Sequence, residues 1–205
     1  IKTEYVTVVV PKGKRTTVQL SDGSVAWVNS GSKLTFPKNF EKNIRKIYLD
    51  GEIYIEVAKD EKRPFIVCTD AVEVNVLGTR FNVNAYRDEK ICSVVLVEGS
   101  VETKSHKQKN ILKPGQGYFN TDGNIMVKPV DTYSYTCWKD GRLKLMNEPF
   151  SDLLKRLSRY YDVEIHLDSE LNNLRFEGNL ALRDSIEDIL QTLSISKEFA
   201  YVQND

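Results

Sequence analysis

The chain has 205 residues, enough for one large domain or two modest ones with a real core. Its 40% hydrophobic and 28% charged residues are those of an ordinary globular protein, and 29 Lys plus Arg balance 29 Asp plus Glu. That balance argues against nucleic acid, and the longest apolar run, Val94-Val95-Leu96-Val97, falls far short of the roughly 20 residues that span a bilayer.

From Tyr5 to about Val130 apolar residues recur at every second position, the period of a strand with one buried face. Val18 and Leu20 alternate with Thr17 and Gln19; Ile53, Ile55 and Val57 alternate with Tyr54 and Glu56. Asp22-Gly23, Asp50-Gly51, Glu98-Gly99 and Asp122-Gly123 supply turn signals between the runs. Three of them share a phrase (Leu20-Ser-Asp-Gly-Ser-Val25, Leu49-Asp-Gly-Glu-Ile53, Leu96-Val-Glu-Gly-Ser-Val101), which predicts a recurring hairpin. Val72, Val74 and Val76 are even-numbered, whereas Phe81, Val83 and Ala85 are odd, so the buried face must switch at a bulge or bend near Gly78. About ten short strands without a helix predict an all-β domain over 5–128, either a sandwich or an irregular solenoid-like stack.

Residues 128–137, with Pro129 and a Thr/Ser/Tyr-rich tract, read as a connector to a second domain over 138–205. There Phe150, Leu153, Leu154, Leu157 and Tyr161 follow a helical period, with Asn147 as N-cap and Pro149 in the first turn. Ile186, Ile189, Leu190 and Leu193 repeat it behind a Ser185–Asp188 capping pair. Strand candidates at 142–145, 163–167, 175–180 and 199–202 complete a small β-α-β-β-α-β domain, so the fold class is mainly β plus α/β.

No catalytic arrangement stands out, and the chain reads as a non-enzyme without cofactors. His106, at a polar hairpin tip, and His166, on a strand, have no partner at metal-ligand spacing. Cys68, Cys92 and Cys137 lack C-x-x-C spacing and read as small buried residues. Glu52 and Glu56 share a face as a hydrolase pair would, but read more simply as the wet side of a strand. The basic tracts at 12–15 and 104–109 sit at turns without interleaved aromatics. Trp27 and the tyrosines suit strand packing better than a sugar groove, so a carbohydrate-binding or structural β module stands as the alternative.

An ordered set of short phrases resembles the FecR domain: Val10-Pro-Lys-Gly13, Leu20-Ser-Asp-Gly-Ser24, Phe36-Pro37, Arg45, Gly51-Glu52, Glu56-Val57-Ala58-Lys59-Asp60, Leu77-Gly78-Thr79-Arg80-Phe81-Asn82-Val83 and Leu112-Lys-Pro114-Gly115-Gln116. The match runs from residue 5 to about 118. Trp138, Gly141, Asn147, Pro149-Phe150, Tyr160-Tyr161, Phe176 and Gly178 are similar to the module that follows FecR in Bacteroidetes regulators, itself similar to the short N-terminal domain of secretins and TonB-dependent receptors. The resemblance implies the periplasmic part of a transmembrane anti-sigma factor, tethered to the inner membrane. It would sense the periplasmic extension of a TonB-dependent receptor, SusC-like or siderophore, and control an extracytoplasmic-function sigma factor. The cytosolic segment and membrane helix it implies would precede Ile1, and the family often continues with one more strand past a position such as Asp205. The expected docking edge is Arg175-Phe176-Glu177-Gly178-Asn179-Leu180, leading to Leu182.

Overall fold

A computed structural model describes residues 3–105 and 108–202, and the chain divides into two compact units between Tyr135 and Thr136. The first unit contains strands β1 (Tyr5–Val9), β2 (Thr16–Gln19), β3 (Val25–Val28), β4 (Lys33–Pro37), β5 (Arg45–Glu56), β6 (Phe65–Cys68) and β7 (Glu73–Val76). It continues with β8 (Arg80–Ala85), β9 (Ile91–Glu98), β10 (Val101–Ser105), β11 (Gln108–Leu112), β12 (Gln116–Thr121) and β13 (Asn124–Pro129). They make one sheet that β5 divides into two wings, ordered β1-β4-β5-β6-β7-β10-β11 and β2-β3-β5-β8-β9-β12-β13. The first half of β5 pairs with β4 and, in parallel, with β6; its second half pairs with β3 and β8. Leu34, Ile47 and Val74 from one wing and Ile55, Phe81 and Leu96 from the other are all fully buried in a single cluster. The all-β expectation holds, as a folded sheet around one core and not as stacked repeats. The predicted tip of the β10–β11 hairpin, with His106, lies outside the described residues.

The shared glycine phrase does three different jobs. Only Leu20–Val25 closes a hairpin, between β2 and β3. Asp50-Gly51, expected as a turn, lies inside the continuous strand β5. Gly51 takes φ +130° there, and a Cβ would stand 2.3 Å from Ser32 Oγ, so only glycine fits where β5 passes from one wing to the other. Glu98-Gly99 carries the chain from β9 in the second wing to β10 in the first. The face switch at Gly78 is the opposite crossing, from β7 to β8, and the two crossings touch: a Cβ on Gly99 would sit 2.9 Å from the Gly78 carbonyl oxygen.

Arg45 pins this region from inside. Its side chain is fully buried, with Nη1 donating to Asp22 Oδ2 at 2.9 Å and to the Ala58 carbonyl at 2.7 Å. Nε and Nη2 donate to the Arg63 carbonyl at 3.0 and 2.8 Å, and Nη2 reaches the Leu77 carbonyl at 3.3 Å. The guanidinium lies 5.4 Å from the Phe65 ring centroid. Asp22 also accepts from Ser24 N and Oγ. A charge this deep is tolerated because its donors are matched by carbonyls and one carboxylate.

The predicted connector coils into a short helix, α1 (Thr132–Thr136), followed by a 3-10 turn over Cys137–Asp140. Beyond it come β14 (Arg142–Pro149), α2 (Phe150–Tyr161), β15 (Arg175–Ala181) and α3 (Ile186–Lys197). β14 and β15 pair antiparallel, with Leu143 opposite Leu180 and Leu145 opposite Gly178. Asn147 is not the cap of α2. It sits at φ +54° in a bulge of β14 between Leu145 and Glu148, and Pro149 occupies the cap position. The expected capping pair of α3 does form: Asp188 N donates to Ser185 Oγ at 3.1 Å, and Ser185 Oγ to Asp188 Oδ2 at 2.8 Å. Leu143, Leu145, Phe176 and Leu180 of the sheet and Phe150, Leu153, Leu157, Ile189 and Leu193 of the helices are buried. Among the described residues, the strand candidates at 163–167 and 199–202 are not strands, and neither joins a ladder.

Candidate docking edge

β15 contributes one edge to β14, and no other described strand pairs with it. The seven residues expected to meet a partner divide into two sets. Phe176, Leu180 and Leu182 are core residues, 3%, 9% and 3% exposed, with the Phe176 ring 4.8 Å from that of Phe150. Arg175, Glu177, Gly178 and Asn179 are exposed. Arg175 Nε donates to Asn147 Oδ1 at 3.1 Å, fastening the start of the strand to the β14 bulge. Gly178 adopts φ +136°, and nothing lies within 4 Å of where its Cβ would be. The strand therefore offers main-chain groups and a bare Cα, while its large side chains serve the core.

The frame beneath this edge is well tied. Arg156 Nη1 forks onto both Glu148 carboxylate oxygens at 2.9 and 2.8 Å, joining α2 to β14. Tyr161 Oη donates to the Asp184 carbonyl at 2.8 Å, joining the end of α2 to the loop before α3.

Against the side of α2 and α3 lies a groove of about 670 Å³, which sequence reading did not anticipate. Its walls include residues 163–168 and 199–202, the two segments expected to be strands. Val163, Ile165 and Leu167 are half-buried while Glu164, His166 and Asp168 are exposed, a strand's alternation without, among the described residues, a strand's neighbour. Phe199 anchors the other segment, 5.2 Å from the Phe150 ring.

The residues weighed for chemistry are otherwise engaged. Glu52 accepts from Asn29 Nδ2 at 2.8 Å and Asn82 Nδ2 at 2.9 Å, one on each carboxylate oxygen. Glu56 meets Tyr54 Oη and Arg80. Trp27 packs on Tyr54 across the strand pair, ring centroids 5.5 Å apart. His166 Nε2 stands 3.1 Å from Glu164 Oε1 at the surface. All three cysteines are free thiols; burial pushes Cys92 up to about 12 and raises Cys68 and Cys137 as well. Among the described residues no group of three or more His, Cys, Asp or Glu is placed to hold a metal, and no helix is long and apolar enough to cross a membrane.

An all-β unit followed by a small α/β unit defines a class that comparison with known proteins makes specific. Residues 6–102 match the FecR protein family, and residues 142–205 match the FecR C-terminal family. Two crystal structures of a candidate anti-sigma factor from Parabacteroides distasonis, at 2.50 and 1.65 Å resolution, superpose with a TM-score of 0.92 each. Each is 30% identical and covers 98% of this chain, over 96% and 95% of its own length. No curated protein matches the chain. The chain belongs to the FecR family.

Proposed function

We propose that this chain is the periplasmic, signal-receiving part of an anti-sigma factor, tethered to the inner membrane. It reads the state of a TonB-dependent outer-membrane receptor and, through a cytosolic segment of the same protein, restrains an extracytoplasmic-function sigma factor. The anti-sigma role is supported by family membership and by the Parabacteroides distasonis structures. The observation that carries the docking step is the outer edge of β15, unpaired by any described strand and bare at Gly178. Unpaired N–H and C=O groups on a sheet edge are satisfied by an incoming strand, which gains affinity from main-chain hydrogen bonds. This edge lies in the second unit, so the α/β unit is the receiver.

The test is capture of the purified periplasmic extension of a receptor encoded beside the gene. Gly178→Arg projects a long side chain into open space and is expected to reduce binding at least about tenfold, while Glu61→Lys, on an exposed loop of the first unit, leaves it intact. Unchanged binding by a folded Gly178→Arg protein removes β15 from the interface. Leu180 is unsuitable for this purpose, because its burial makes any polar replacement a folding mutation.

A further inference from the structure

The groove of the second unit is a second recognition surface, carried by residues apart from β15. We infer that it takes an extended peptide segment of a partner protein, apolar on alternate residues and carrying Lys or Arg on the others. Three observations converge on this occupant.

First, residues 163–167 have a strand's alternation of burial and are assigned to no strand. Their side chains alternate between half-buried and exposed, and among the described residues no backbone hydrogen bond is made by 164–167. The Val163 end is fixed: its amide donates to the Ser158 carbonyl, and Ser158 Oγ donates to the Val163 carbonyl. The segment is thus held at its Val163 end, and among the described residues its main chain pairs with no other. A segment that lies extended pairs with another extended chain at little conformational cost.

Second, the floor is apolar. Leu154, Ile186 and Leu190 line it beneath Ile165 and Leu167. Ile186 and Leu190 are only half-buried, whereas Ile189 and Leu193 of the same helix are fully covered by the core. α3 therefore has apolar surface left over on the groove side. Side chains of every second residue of an added strand would cover it.

Third, two exposed carboxylates, Glu164 and Asp168, flank His166 on the groove wall, and no Lys or Arg lines it. A strand whose outward residues are basic meets these carboxylates, while an acidic one is repelled, which selects the partner's composition. The incoming segment need be only about six residues long, since residues 163–168 span roughly 20 Å when extended.

The experiment uses the chain as it stands and a short labelled peptide of alternating valine and lysine, with a valine–glutamate peptide of equal length as its opposite. Fluorescence anisotropy is expected to show the basic peptide binding at least about tenfold more tightly than the acidic one, with affinity falling as salt rises. Glu164→Lys together with Asp168→Lys, both at exposed positions, is expected to abolish that preference without disturbing the circular dichroism spectrum. Amide resonances of 163–168 are expected to shift while those of 175–181 stay, and Gly178→Arg to leave peptide binding unchanged. Equal or absent binding of the two peptides overturns the inference. So does a shift confined to β15, which would return the peptide to the edge proposed above. A concentration-dependent dimer lost in the double variant overturns it too, by giving the groove to a second copy.

Discussion

The two units treat the same material differently. In the first, alternating apolar runs find neighbours on their edges, and even a guanidinium is enclosed and matched at Arg45. In the second, only β14 and β15 pair, while 163–167 keeps its alternation with its main chain unpaired among the described residues. The contrast separates two things a strand needs. Alternation decides which face is buried; a ladder requires another extended chain at the right distance.

The comparison breaks most sharply at Arg45. Arg45→Met removes one partner of a buried pair and leaves the Asp22 carboxylate, only 2% exposed, without its counter-charge. Loss of about 3–5 kcal/mol is expected in urea unfolding of the first unit followed by fluorescence of Trp27 in a Trp138→Phe background. A loss below about 1 kcal/mol would mean that the enclosure contributes little. Matched isoleucines sharpen the contrast next. Ile47→Ala, fully buried in the first wing, is expected to cost about 2–5 kcal/mol, whereas Ile165→Ala, half-buried on the groove, costs about 1 kcal/mol or less. Equal costs would show that 163–167 belongs to the core as firmly as β5 does. Ser185→Ala removes the acceptor for the Asp188 amide at the start of α3 and should cost about 1 kcal/mol in the second unit's transition. The smallest effect is one of pH. Cys92 ionises near 12 in the folded chain against an ordinary 9.0, because burial disfavours its thiolate. Its folded value is the higher, so its share of stability is complete below pH 9 and declines as pH rises from 9 toward 12. Cys92→Ala is expected to flatten that part of the stability–pH curve while leaving its slope near pH 7 unchanged.

The strands and helices were legible because period-two and period-3.6 patterning reports burial directly, as at Ile53, Ile55 and Val57 or at Ile186, Ile189 and Leu193. The three Asp/Glu-Gly phrases were not separable by sequence. A glycine tolerated at positive φ serves a hairpin, a bend within a strand or a passage between wings, and what distinguishes Gly51 is Ser32, nineteen positions away in the chain. Asn147 misled for a similar reason: its side chain suits a helix cap, and its tolerance of left-handed backbone equally suits a bulge. Of the docking strand, its position was readable but its inner residues were not, since a Phe and a Leu two positions either side of Gly178 look alike whether they face a partner or the core. The groove was not legible because the pattern at 163–167 is that of an ordinary strand; only the lack of a pairing neighbour among the described residues, a long-range fact, marks it out. Arg45 was visible as part of a family phrase, but its five acceptor residues, Asp22, Ala58, Asp60, Arg63 and Leu77, are scattered through the chain.

The long strand β5 carries a further consequence. Because its two halves are laced into different wings, neither wing owns a complete set of strands, and no cut between residues 57 and 100 yields a fragment that closes its own sheet. Proteolytic nicking inside that stretch should therefore dismantle the whole β unit together instead of releasing a stable half.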